Sequence, residues 1–362
     1  MSDRADSAPC VDNRGACSYL RSMSAYRLLH DTLRSAPKTW LITGVAGFIG
    51  SHLAETLLRL GQRVVGLDNF ATGSRRNLDA LATLLPEAAQ RFTFHHGDLT
   101  NLADCQRSCA GADYVLHQGG LGSVPRSIDN PIASHEANVN GTLNLLVAAR
   151  DAGVRRFVYA SSSSVYGDEP NLPKTEARIG RPLSPYAATK RMLEIYGWVF
   201  HHSYGLATTG LRYFNVFGPR QDPNGPYAAV IPRWVAALRA GEPVFINGDG
   251  TTTRDFCYVA NVVQANLLAA CSTHPDAAGE VFNVAVHERT DLNTLYRMIR
   301  DGLVRHDASL AGIDPQYRDF RAGDVRHSLA DITKAREILG YQPTHSLREG
   351  LDEALEWYFH NL

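Results

Sequence analysis

Short, almost unbroken apolar runs alternate along this chain with amphipathic stretches. Trp40-Leu41-Ile42-Thr43 reads as a buried strand that runs through Gly44-Val45-Ala46-Gly47-Phe48-Ile49-Gly50 into the helical pattern Ser51-His52-Leu53-Ala54-Glu55-Thr56-Leu57-Leu58. Further strands are read at Arg63-Val64-Val65-Gly66-Leu67, ending at Asp68, and at Phe92-Thr93-Phe94-His95-His96, Tyr114-Val115-Leu116 and Arg156-Phe157-Val158-Tyr159-Ala160. Strands of this kind, separated by helical stretches, predict a parallel α/β sheet buried on both faces. The runs end in small or polar residues, Gly97-Asp98-Leu99 after the third and His117-Gln118-Gly119-Gly120 after the fourth. Ligands of such sheets sit beyond the carboxyl ends of the strands, so these residues line up a long groove.

Outside this region the pattern changes. From Ser24 to Ser35 the apolar positions Tyr26, Leu28, Leu29 and Leu33 suggest a short amphipathic helix, while residues 1–22 are polar and irregular, and are read as disordered or as lying upstream of a true start at Met23. After Leu211 the alternation loosens into an irregular connection holding Pro219, Pro223, Gly225 and Pro226. The expected division is an extension over 1–38, a cofactor domain over 39–212 and a smaller α/β substrate domain over 213–362, some of which is free to return to the first sheet.

Composition narrows the function. The 362 residues are 44% hydrophobic and 20% charged with a net charge of -1, so no basic surplus argues for nucleic acid. No apolar run approaches the roughly 18 residues that would span a bilayer. The six cysteines form neither a zinc pattern nor a secreted disulfide framework, so no metal site is expected and a reducing cytoplasm fits best. Cys105 and Cys109 share a helix face and read as core-side residues.

The chemistry lies at the strand ends. In the G-x-x-G-x-x-G turn, Gly44, Gly47 and Gly50 let the backbone turn tightly against a pyrophosphate held at a helix N-terminus, a relative of the Rossmann fingerprint. Asp68 stands where an acid accepts hydrogen bonds from the adenosine ribose, which favours NAD over NADP; Arg75 and Arg76 are a mild counter-argument, read here as a solvated loop. Ser161-Ser162-Ser163-Ser164 offers hydroxyls at the end of a strand. In Ser184-Pro185-Tyr186-Ala187-Ala188-Thr189-Lys190 the four-residue spacing puts a phenol beside an ammonium, and a neighbouring cation favours a phenolate base.

Together these motifs resemble the extended short-chain dehydrogenase/reductases, with a Rossmann doubly wound parallel sheet and a smaller C-terminal α/β substrate domain. Within that superfamily the chain is most similar to the nucleotide-sugar 4-epimerases, the bacterial UDP-N-acetylglucosamine 4-epimerases above all. Leu211-Arg212-Tyr213-Phe214-Asn215-Val216-Phe217-Gly218, Ile246-Asn247-Gly248-Asp249-Gly250, Arg254-Asp255-Phe256 and Arg321-Ala322-Gly323-Asp324-Val325 follow in the expected order. The resemblance implies reversible 4-epimerisation of a UDP-sugar on tightly bound NAD, through a transient 4-ketone.

As implied by the same resemblance, Ser162, Tyr186 and Lys190 are catalytic. Tyr186 removes the 4-hydroxyl proton directly or through Ser162, and Lys190 lowers the phenol's pKa. NAD contacts fall on Gly44, Gly47, Phe48, Ile49, Gly50, Asp68, Asn69, Phe70, Gly73, Asp98, Leu99, Gln118, Gly119, Gly120, Asn138, Tyr186, Lys190 and Tyr213. Arg254 and Arg321 take the diphosphate, Asp324 the ribose, and Phe245 and Asn247 the uridine. Ser123, Ser162, Ser163, Ser164, Tyr186 and Asn215 face the sugar. Ser328 stands where a small residue leaves room for a 2-acetamido group, which favours UDP-GlcNAc and UDP-GalNAc. Serine at position 164, where related dehydratases and decarboxylases carry an acid, argues against both of those reactions.

The resemblance also suggests a homodimer packed through long helices, for which Leu193, Tyr196, Val199 and Phe200 are candidates. One departure is Gly119-Gly120, where the family has two alanines; the loss of two β-carbons is expected to weaken NAD retention or slow turnover. The alternatives are a UDP-glucose or UDP-hexuronate 4-epimerase and, outside enzymes, an NAD-binding regulatory protein.

Overall fold

All five apolar runs become strands of one sheet: β1 (Thr39–Thr43), β2 (Arg63–Asp68), β3 (Phe92–His96), β4 (Tyr114–His117) and β5 (Arg156–Ser162). Two more strands join it, β6 (Thr208–Tyr213) and β7 (Glu280–Val284), in the order β7-β6-β5-β4-β1-β2-β3 with every neighbouring pair parallel. β7 comes from beyond residue 212, so the later half of the chain does return to the first sheet. The computed structural model describes residues 25–224, 229–320 and 326–362. The readings made for residues 1–22, Gly225, Pro226, Arg321 and Asp324 lie outside them.

The longer helices are α1 (25–35), α2 (Phe48–Arg59), α3 (Arg75–Leu84), α4 (Leu102–Cys109), α5 (Gly141–Asp151), α6 (Pro185–Tyr204), α7 (Val230–Arg239), α8 (Val259–Cys271), α9 (Leu292–Val304) and α10 (Leu347–Asn361). Alternation along the strands divides the core. Trp40, Ile42 and Val158 pack with Leu53 and Leu57 of α2 and Val262 and Leu267 of α8. Leu41, Phe157 and Tyr159 face the other way, onto Cys105 and Cys109 of α4, Leu145 of α5 and Leu193 and Phe200 of α6. Each such aliphatic or aromatic side chain contributes about 1.5–3 kcal/mol on full burial. Burial also pushes the Cys105 and Cys109 thiols up to about 12, which suits core residues.

α1 forms as the periodicity predicts, with Leu33 buried, but Leu28 is 67% exposed and does not belong to its apolar face. The buried Gln62 carboxamide pins this helix to the sheet, accepting from Lys38 N–H and Trp40 Nε1–H and donating to the Leu33 carbonyl. A third cluster joins α7, α9 and α10 around Trp234, Leu295, Ile299, Leu351 and Leu355, and Phe48 and Ile49 at the start of α2 pack against it. α10 starts in a capping box between Ser346 and Glu349, which satisfies donors that a helix end leaves open. No described helix is long and apolar enough to cross a membrane.

Candidate active site

The order of strands reverses between β1 and β4, and the cleft opens at their carboxyl ends, where a doubly wound sheet holds its ligand. Gly44 leaves β1 with φ +67°, and a Cβ there would stand 2.8 Å from Gly119 N. At Gly50 a Cβ would lie 2.1 Å from the Gly44 carbonyl oxygen, so no larger residue fits this turn. Gly47 precedes α2 without a side-chain cap, leaving the helix's first N–H groups for an anion.

The cleft is walled by Gly44, Gly47, Phe48, Ile49, Gly50, Asp68, Asn69, Asp98, Leu99, Gln118, Gly119, Gly120, Tyr186, Lys190 and Tyr213, residues that the sequence reading assigns to NAD. Three predicted contacts stand one step back. Phe70 donates its N–H to Asp68 Oδ1 at 2.7 Å, while a Cβ on Gly73 would be 3.1 Å from Asp68 Oδ2. Asn138 lies in a π-turn (Glu136–Asn140) ahead of α5, and its carboxamide accepts from Leu121 N–H and donates to the Leu121 carbonyl and Thr189 Oγ1. Ala71, Thr72, Leu121 and Ala137 also wall the cleft and carry no sequence signal of their own. Asp68 accepts a second N–H, from Ala46 at 2.9 Å. Arg75 and Arg76 are exposed, as read, but they begin α3 instead of lying in a loop, and the Arg75 guanidinium stands 5.0 Å from the centre of the Phe70 ring.

The glycine pair is closely surrounded. Gly120 has φ +151°, and a Cβ on it would stand 2.7 Å from Asn138 Oδ1, which is already fixed by Leu121. At Gly119 the added carbon would be 2.8 Å from Leu99 Cδ1. The loop is therefore matched to glycine by its neighbours, and the carboxamide of Asn138 restrains it. An alanine at 120 would strain this backbone, whereas at 119 it would first meet the movable end of the Leu99 side chain.

α6 is set by its termini: Ser184 accepts from Ala187 N–H, Pro185 occupies the first turn, and Gly205 ends the helix at φ +71°. Ser127 Oγ accepts the Tyr186 N–H at 3.0 Å, which fixes the phenol's helical turn to the loop carrying Ser123. Lys190 donates to the Ala160 carbonyl at 2.8 Å, and its ammonium lies 5.9 Å from the Tyr186 ring centre. Burial pushes Lys190 down to about 8. Burial raises Tyr186 as well, and the nearby Ser162 hydroxyl only partly opposes it. The phenol is thus protonated at neutral pH, and the lowering expected from Lys190 does not outweigh desolvation.

Ser162 begins a short 3-10 turn (Ser163–Tyr166), and its Oγ accepts from the Ser164 hydroxyl at 2.8 Å and from Ser164 N–H at 3.2 Å. Both bonds leave the Ser162 proton free to donate elsewhere. Ser161 points away, donating to Glu194.

A second pocket brings together four predicted substrate residues, Asn215, Phe245, Asn247 and Arg254. Trp234, Val230 and Arg233 of α7, with Phe217 and Leu292, also line it. Sequence reading missed all five; only the recurring apolar spacing of Ile231, Trp234, Val235 and Leu238 marks α7 beforehand. Arg254 Nη1 donates to the Thr253 carbonyl at 3.0 Å. Ser328 donates its N–H to the Thr253 carbonyl at 3.1 Å, which places it beside this segment without lining either pocket. Ser123 has φ +103° and caps the turn Val124–Asp129. Among the described residues no cluster of His, Cys, Asp or Glu is placed to hold a metal ion.

Comparison with known proteins agrees with this geometry. Residues 40–285 match the model of the NAD dependent epimerase/dehydratase family. A UDP-glucose 4-epimerase of Mycolicibacterium smegmatis is 38% identical over 88% of this chain and 97% of its own. The UDP-N-acetylglucosamine 4-epimerase of Methanobrevibacter ruminantium, solved with UDP-N-acetylmuramic acid, superposes with a TM-score of 0.82 at 38% identity, covering 90% of this chain and 99% of that one. The UDP-glucose 4-epimerase of Thermus thermophilus, solved with NAD, gives 0.76 at 33% identity, covering 90% and 100%. With a glycine cradle that no β-carbon could share, an acid at the end of β2 and Tyr186 and Lys190 in one cleft, the chain belongs to the NAD-dependent epimerase/dehydratase family, and NAD is its cofactor.

Proposed function

We propose that this protein interconverts UDP-N-acetylglucosamine and UDP-N-acetylgalactosamine by inversion at C4 through a transient 4-ketone. The observation that carries the reading is that Tyr186 and Lys190 wall the same cleft as the glycine turn and Asp68, with Ser162 close to the phenol. Bound NAD supplies the hydride acceptor and donor. Tyr186 takes the 4-hydroxyl proton, directly or through Ser162, whose own proton is left free by the Ser164 bond. Lys190 holds the positive charge that favours the departing proton's phenolate acceptor.

The chain from 39 to 212, with β7, serves the cofactor, and 213–362 holds the nucleotide. Phe245 and Asn247 take the uridine, Arg254 and Arg321 the diphosphate, and Asp324 the ribose; the guanidinium fork suits phosphate oxygens. Strong contacts on the nucleotide let the ketone turn over without release. Ser123, Ser163, Ser164 and Asn215 contact the sugar, and a small Ser328 leaves space for the 2-acetamido group. A regulatory protein would have no need of the proton-transfer set. UDP-glucose is the second reading, favoured by the name of the Mycolicibacterium relative.

The test is incubation of the purified protein with UDP-GlcNAc and, separately, UDP-glucose, without added cofactor, following the C4 epimers by NMR. Preference for the acetamido sugar is expected; conversion of UDP-glucose alone would sink the substrate assignment, and no conversion of either even with NAD would sink the reaction.

We further propose a homodimer, with a corrected face. Leu193 and Phe200 are core residues at 2% and 4% exposure, whereas Met192, Ile195 and Trp198 of α6 are 38%, 50% and 54% exposed, with Ile128 and Ile132 open beside them. A second copy of this apolar face is the expected cover. Light scattering should give a dimer for the native protein and a monomer for Ile195→Asp/Trp198→Asp; a monomeric native protein would refute the assignment.

A further inference from the structure

Asp255 is a fully buried carboxylate in the segment that also carries Arg254. Among the described residues no Lys or Arg forms an ion pair with it. Its oxygens instead accept backbone N–H groups, Val286 at 3.0 Å on Oδ1 and Ala330 at 3.2 Å on Oδ2. Its own carbonyl accepts the Asn215 carboxamide at 3.1 Å, and Asn215 in turn accepts the Cys257 N–H at 3.3 Å. Asn215 has φ +33° and His287 φ +63°, conformations that non-glycine residues hold only when their surroundings enforce them. His287 closes the circle, with Nδ1 2.6 Å from the Ala330 carbonyl oxygen. The Asp255 side chain thus joins its own segment to two others far away in sequence, and its main-chain carbonyl ties in a fourth at Asn215.

We propose that Asp255 is a positioning residue for substrate: by holding the N–H groups of Val286 and Ala330 it fixes the segments that present Asn215, Arg254 and Ser328 to the UDP-sugar. Asn215 and Arg254 line the nucleotide pocket, and Ser328 lies two residues before Ala330. An ionised carboxylate accepts at both oxygens; the protonated acid carries an O–H donor on one of them and must loosen an N–H bond. Burial pushes this carboxyl up to about 6, with the N–H bonds and His287 pulling the other way. The titratable groups around it are His287, the Cys257 thiol and the Tyr341 phenol, which donates to the Ala285 carbonyl at 2.9 Å. His327, 3.0 Å from Thr253 Oγ1, lies on the neighbouring segment. As pH falls through about 6 the carboxylate is lost and substrate affinity should fall with it.

The inference rests on the UDP-sugar reading, and calorimetric titration of the NAD-loaded protein with UDP-glucose and UDP-GlcNAc separates the two. Both ligands are diphosphate diesters that do not titrate in this range. If the native protein binds neither, the functional reading fails. If it binds, Asp255→Asn is expected to weaken both ligands about tenfold, the scale of one lost charge-assisted hydrogen bond, with NAD content and melting temperature near native. Native affinity should drop between about pH 7.5 and about pH 5.5, and the drop should be absent in Asp255→Asn, where His287 and His327 remain. Unchanged affinity in the variant, or a loss shared with NAD content and melting temperature, overturns the proposal. Should the variant fail to fold, a native affinity that is flat over the same pH range overturns it equally.

Discussion

Tyr186→Phe is expected to lower kcat for 4-epimerisation by about 10²–10⁴-fold, the range a positioned general base supplies, while NAD stays bound. The substitution removes one oxygen from a half-buried side chain and leaves the backbone untouched, so the helix, its Ser184 cap and the Ser127 bond to the backbone survive. The pH dependence gives a second readout. Burial holds the Tyr186 phenol above its ordinary value and brings Lys190 down to about 8, so at neutral pH the pair carries both protons. The form in which the phenol can act as base, a phenolate beside a charged Lys190, gains population as pH rises until Lys190 itself loses its proton. In the native enzyme kcat/KM should therefore rise with pH until about 8 and then level, and the residual rate of Tyr186→Phe should lack that limb. Rates between about pH 6 and 9, with bound NAD measured by release on denaturation, check both points. Conversion at the native rate by the variant would remove Tyr186 from the mechanism.

The legible parts of this protein are those whose physics is local. A glycine turn between an apolar strand and a helix declares itself because no side chain tolerates the approach of Gly50 to Gly44, and Tyr186 and Lys190 are coupled by helical spacing alone. β7 is different: Glu280–Val284 belongs to the cofactor sheet only because Val281 and Phe282 find Gly210 and Leu211 of β6, and no local pattern announces a partner some seventy residues away. The second pocket has the same character. Phe217, Val230, Trp234 and Leu292 meet through the packing of α7 and α9, so the family motifs marked Phe245 and Arg254 but not the wall around them. Leu28 shows the reverse failure, an apolar residue in a helical pattern that the tertiary structure leaves in solvent. Gly119 and Gly120 could be seen but not interpreted, since their reason lies in Leu99 and Asn138.

The largest loss of stability should follow from Glu194→Ala. Glu194 lies four residues beyond Lys190 on α6, and Arg212 meets it from β6 as a fork, Nε to Oε1 at 2.8 Å and Nη2 to Oε2 at 2.9 Å, both side chains 1% exposed. Ser161 donates to Oε1 at 2.7 Å and Arg191 to Oε2 at 2.9 Å, so every acceptor direction is used. Burial alone would raise the Glu194 carboxyl, but the Arg212 contacts outweigh it and hold it below the usual range. Removing one partner strands a guanidinium beneath the Tyr166 ring, at a cost of about 3–5 kcal/mol and a fall in Tm on the order of 10 °C. Replacing both, as Glu194→Leu/Arg212→Met, should cost much less than either single change, because no unpaired charge is left inside. Since the folded carboxyl sits below its unfolded value, the pair's stabilisation is present above about pH 4.5 and lost as pH falls through the lowered pKa. The pair also ties α6 to β5 and β6 on the face that carries Tyr186 and Lys190, so kcat should fall with stability in Glu194→Ala and recover partly in the double variant. Thermal unfolding and turnover of the three proteins decide the matter: a double variant no more stable than Glu194→Ala would mean that the pair's charges, rather than the packing around them, hold α6 to the sheet.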